Sequence, residues 1–119
     1  MKSLRSTLAS VADYGDLIGL IPSNPKFSPS DIDGICERKG NFLVMEWKRP
    51  GEKFSKGQEI LLRALAKTPH FIVVIMYGDT DDGLNFSHCW LYDNKGNASK
   101  KYTTFEEFKE FFRLWYELQ

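Results

Sequence analysis

Histidine and cysteine are too few here to build most metal or nucleophile sites. The chain holds two of each, His70, His88, Cys36 and Cys89, and they do not fall at zinc-ligand spacings. With two histidines, a Ser-His-Asp or Cys-His hydrolase has little to draw on. Each cysteine stands in an apolar run, which suits a buried free thiol in a reducing compartment better than a disulfide framework. No glycine-rich phosphate loop is present, since Gly15 and Gly19 flank no P-loop lysine. No segment approaches the ~20 apolar residues that cross a bilayer. Met1 to Val11, with Lys2 and Arg5, lacks the unbroken apolar stretch of a secretory signal. A cytoplasmic protein with no membrane partner is therefore expected. Net charge is missing too: 16 basic side chains balance 16 acidic ones, so no global positive field gathers nucleic acid.

What is present is enough for one folded domain spanning 1–119, because 42% of the 119 residues are hydrophobic. Positive charge is local rather than global. Lys48, Arg49, Lys53 and Lys56 fall in a nine-residue stretch whose one acid is Glu52, and such a patch suffices for phosphate contact.

Leu4, Leu8, Val11 and Ala12 recur at helical spacing, and a second apolar group, Leu17 to Ile21, stops at Pro22, so one or two short helices should open the chain. Ser23 to Pro29 reads as a proline-stiffened connector. Asp31 to Glu37 alternates as a strand does, and Arg38 to Asn41 forms a turn, giving a hairpin with the apolar run Phe42 to Met45. That second strand is apolar on both faces yet ends in Glu46, Trp47 and Lys48. Ser55 and Gln58 have capping-box spacing ahead of the helical stripe Ile60, Leu61, Ala64 and Leu65. His70 to Tyr77 and Phe86 to Tyr92 read as further strands, joined by an acidic loop. Asp79, Asp81 and Asp82 in that loop miss the calcium-loop pattern, because Gly83 and Leu84 stand where a ligand and the glycine belong. Thr104 and Glu107 repeat the capping box before a helix striped with Phe105, Phe108, Phe111, Phe112 and Trp115. The order implies an α/β fold, a mixed sheet flanked by helices with a strand-helix-strand crossover between Phe42 and Tyr77.

The charged strand ends carry the chemistry. Residues two apart share a strand face, so Asp31 goes with Asp33 and Glu46 with Lys48. Counting outward from Lys39-Gly40 sets Ile35 near Val44, Asp33 near Glu46 and Asp31 near Lys48. A strand-end salt bridge would account for these charges at little gain in stability, but acids at the ends of apolar strands are costly unless solvated, paired or metal-bound. Two or three oxygen ligands suit magnesium, which keeps waters and shares its remaining positions with a substrate phosphate. Lys48 beside it can neutralise charge that builds on the phosphate or hold the attacking water.

Pro29-Ser30-Asp31-Ile32-Asp33-Gly34, followed by a strand ending Glu46-Trp47-Lys48, resembles the signature of the PD-(D/E)XK nucleases. The helix that begins near Gly57-Gln58 is similar to the glutamine-bearing helix of the Holliday-junction-resolvase-like and RecB-like branches. The resemblance covers about Pro29 to Tyr77. It implies a restriction-endonuclease-like core of the αβββ type, with Asp33 and Glu46 as magnesium ligands, Lys48 assisting the nucleophile and Gln58 near the active site. Asp31 follows Pro29 as the family's aspartate often does, but Asp33 pairs better with Glu46 in the register above; both are candidate ligands. Asp13 and Asp16 are candidates for a further acid that family members often place on the first helix.

The expected function is a Mg2+-dependent endonuclease or nickase, with Mn2+ able to substitute, hydrolysing DNA phosphodiester bonds; RNA is the other possible polymer. Arg49, Lys53 and Lys56 are the candidate backbone contacts. A chain this small has no room for a large sequence-reading domain, so specificity would come from nucleic-acid structure, a homodimer or another protein. By resemblance, the type is that of accessory nucleases in phages and mobile elements. The competing expectation is a nuclease-fold module that binds nucleic acid or a protein without cutting it.

Overall fold

The computed structural model describes residues 13–119, and the chain divides into two units, Met1–Asp31 and Ile32–Gln119. The expected helix over Leu4 to Ala12 lies outside the described residues. Within 13–31 the one regular element is a 3-10 turn, Gly15–Leu17, where a second short helix is expected over Leu17 to Ile21. Gly19 explains the difference: its φ of +87° breaks a right-handed helix, and Pro22 ends whatever follows. Ser23 to Pro29 contains turns and no helix, as its prolines dictate.

The second unit is a five-stranded mixed sheet in the order β1-β2-β3-β4-β5: β1 Gly34–Arg38, β2 Asn41–Lys48, β3 Phe71–Asp79, β4 Asn85–Tyr92 and β5 Ala98–Tyr102. Two helices complete it, α1 Lys56–Lys67 and α2 Phe105–Glu117. The hairpin between β1 and β2 turns on Lys39 and Gly40, both at positive φ, +51° and +82°, the two-residue geometry that matches strand twist. Its register pairs Ile35 with Val44 and Gly34 with Met45. β2 and β3 are parallel, so their connection must cross over, and α1 is that crossover. The remaining neighbours are antiparallel.

Alternation along β2 and β3 feeds two cores. Leu43, Val74, Met76 and Cys89 point to one face and pack on Phe108 and Trp115 of α2. Val44, Val73 and Ile75 point to the other and pack on Leu62 and Ala66 of α1. This unit is thus a three-layer α/β arrangement with one helix on each face of the sheet. Both cysteines are free thiols, Cys89 fully buried and Cys36 partly so.

Three elements differ from expectation. The first strand starts at Gly34 rather than Asp31. β5 arises from Ala-Ser-Lys-Lys-Tyr, a short edge strand whose lysines give no apolar signal; edge strands favour such residues because they discourage pairing with another chain. On α2, Phe105, Phe108, Phe111 and Trp115 join the core, while Phe112 lies at the margin of the stripe and is 38% exposed.

Candidate active site

The site forms where β2 runs out of apolar residues. Val44, Glu46 and Lys48 share one face of that strand. Val44 is in the core beneath α1, so the two charged side chains must follow it under the same layer. They are 4% and 6% exposed, respectively, and are the buried charged residues of the described chain. Burying an ionisable group is costly unless it gains partners, and the partners differ for the two.

Lys48 is provided for. Its Nζ donates to Gln58 Oε1 at 2.6 Å and lies 4.3 Å from the centre of the Phe54 ring, a cation–π contact. The capping geometry makes this possible. Ser55 Oγ accepts the Gln58 backbone N–H at 3.1 Å, but the glutamine side chain does not return to the cap, so the expected capping box is half formed. The amide turns instead toward Lys48. By contrast, Thr104 and Glu107 complete both halves of the box on α2.

Glu46 is not fully provided for: its Oε2 is buried and has no hydrogen-bond partner. Burial pushes its carboxyl up from the ordinary 4.5 to about 8, with a hydrogen bond to the Asp33 carboxyl and repulsion from it adding to the rise; Lys48 and the Asp33 backbone N–H pull the other way. Asp33 stands one residue before β1, opposite Glu46 when the Gly34–Met45 pairing is continued. Its Oδ2 accepts the Trp47 backbone N–H at 2.8 Å. A side-chain carboxylate has thus taken a donor at the end of the ladder, which fixes Asp33 against β2.

Asp33, Glu46, Lys48 and Gln58 are therefore brought together on the α1 face, at the carboxyl end of β2. Asp31 is not joined to them by the hairpin. Pairing stops at Gly34, so no ladder contact carries Asp31 to Lys48, and Asp31 is exposed. Among the described residues no group of three or more His, Cys, Asp or Glu is arranged to hold a metal. Asp13 is tied to its own loop, its Oδ1 accepting the Gly15 N–H at 2.8 Å, and Asp16 lies within the 3-10 turn.

Of the basic residues expected at a phosphate backbone, Lys53 and Lys56 are exposed. Arg49 is engaged: its Nη2 reaches both carboxylate oxygens of Asp81 at 2.7 Å. Asp81 and Phe54 are the residues that sequence reasoning overlooks. Phe54 carries a usable signal, an apolar residue directly before a helix N-cap. Asp81 carries none, because nothing local links the acidic loop after β3 to the loop after β2.

Comparison with protein-family models, curated proteins and solved structures returns no match. No described helix is long and apolar enough to cross a membrane.

Proposed function

We propose that the chain is a small magnesium-dependent endonuclease or nickase that hydrolyses DNA phosphodiester bonds. One observation carries this reading: a buried, partnerless oxygen on Glu46 beside the Asp33 carboxylate, with the Lys48 ammonium held on the same face. A divalent cation would satisfy that oxygen. Magnesium binds through one or two carboxylates and completes its shell with water and substrate phosphate, so two acids at the edge of a sheet fit it.

Asp33 and Glu46 would hold the ion. The chemistry it supplies when bound is polarisation of the phosphate and a more acidic water. Lys48 offsets negative charge that accumulates on the phosphate, and does so strongly because its surroundings exclude water. Gln58 and Phe54 orient the lysine. Asp33 is itself oriented by the Trp47 N–H, so both halves of the pair rest on β2.

The test is conversion of supercoiled plasmid to nicked or linear forms, in magnesium and in EDTA, by wild type and Glu46→Ala. Metal-dependent cutting that Glu46→Ala abolishes is expected. Equal inactivity of the two proteins on plasmid, branched and single-stranded DNA would remove the enzymatic reading.

A further inference from the structure

The α1 face continues past the carboxylates. Lys48 pairs across the sheet with Tyr77, and Tyr77 with His88. One step along, Glu46 pairs with Ile75, Ile75 with Trp90, and Trp90 with Lys101. Two rows of side chains therefore lead from the site toward β5 on one surface.

α1 leaves the far part of these rows open. Its first turn reaches Lys48 through Gln58, while Arg63 and Lys67 toward its end lie over Gly96 in the turn between β4 and β5. The helix thus crosses the sheet diagonally. Trp90 belongs to neither core cluster and is partly exposed, as is His88. The His88 ring stacks on Tyr77 with centroids 4.5 Å apart and planes 7° apart. Lys101 is exposed and its Nζ lies 5.8 Å from the Trp90 ring centre. A tryptophan kept outside the core beside a lysine, next to a stacked imidazole, has no packing purpose that the fold supplies.

We infer that His88, Trp90 and Lys101 form a track for single-stranded nucleic acid, on which bases stack as the strand leads to or from the Asp33–Glu46 pair, with Tyr77, itself packed on the core, backing the imidazole. Aromatic faces with interspersed cations are how proteins hold single strands without reading sequence. Burial and the nearby Lys101 both lower the His88 pKa, which favours the neutral ring that stacks. The inference rests on the nuclease reading for its polarity, and narrows the substrate to DNA with an unpaired stretch, such as a flap, a frayed end or a branch.

Binding of a fluorescent ten-residue oligothymidylate and of a duplex of equal length, followed by anisotropy in EDTA, tests the track without requiring cleavage. Wild type should prefer the single strand. Trp90→Ala should weaken it about 5- to 100-fold, the loss expected of one base stack, while Trp90→Phe keeps most of the affinity. Lys101→Ala, on the surface and harmless to folding, should weaken binding and flatten its salt dependence. Wild-type affinity in both Trp90→Ala and Lys101→Ala, or equal affinity for duplex, overturns the track. Intact binding without any cleavage would instead count against the nuclease reading alone.

Discussion

Gln58 serves two partners with two different groups: its backbone N–H goes to Ser55 Oγ, and its side-chain oxygen takes the Lys48 ammonium at 2.6 Å. Helix capping and lysine placement are therefore separable by mutation, although they meet in one residue.

Gln58→Ala leaves the backbone donor in place and removes the lysine's partner. Stability should fall by about 1–3 kcal/mol, because the buried ammonium loses its acceptor, while kcat for plasmid nicking falls about tenfold to a hundredfold, the scale on which a misplaced catalytic group costs rate. Ser55→Ala should also lower unfolding stability, by about 1 kcal/mol through the lost cap, but with nicking nearly unchanged. Urea unfolding and nicking rates on both variants check this. Parallel losses of stability and rate in the two would show that Gln58 acts only as a helix residue.

The hairpin register is legible in the sequence because Lys39-Gly40 fixes the turn and strict alternation fixes the faces; one residue of slip would turn Val44 and Glu46 away from α1. The same logic brings Asp33 opposite Glu46. It fails for Asp31, since alternation alone does not say where a ladder ends, and here the Asp33 side chain takes the Trp47 N–H at that point. The destination of the Gln58 amide is equally invisible: its spacing from Ser55 fits a full capping box, and only the tertiary placement of Lys48 decides against it. β5 escapes notice for a different reason, because an edge strand of lysine and serine has no buried face to advertise.

Arg49 and Asp81 join the loops that follow β2 and β3, yet both side chains are more than half exposed, at 64% and 54%. A pair so solvated stabilises by less than ~1 kcal/mol, so its consequence should be seen in binding. Asp81→Asn releases the guanidinium and removes a charge that repels phosphate. Affinity for DNA in EDTA should rise several-fold, whereas Arg49→Ala should weaken binding and reduce the salt slope by about one phosphate contact. The double variant should behave as Arg49→Ala does. Unchanged affinity in all three would exclude Arg49 from the substrate surface.

Glu46 links stability to pH in an unusual direction. Its carboxyl titrates near 4.5 when unfolded and at about 8 when folded without metal. Below the lower value both states hold the proton, and above the upper value neither does. Between them only the folded chain holds it, so stability falls as pH rises through this window, by up to about 1.4 kcal/mol per pH unit. Glu46→Gln cannot lose that proton, and its stability should stay flatter from pH 5 to pH 8. Magnesium requires the deprotonated carboxylate, so binding should release a proton and tighten as pH approaches 8. The stabilisation conferred by a fixed magnesium concentration should therefore grow over the same range in wild type and be absent in Glu46→Gln. Urea midpoints measured with EDTA and with magnesium across pH 5 to 9 provide all four curves. If wild type and Glu46→Gln gave parallel curves in EDTA, Glu46 would not be the proton-holding, metal-accepting group at the end of β2.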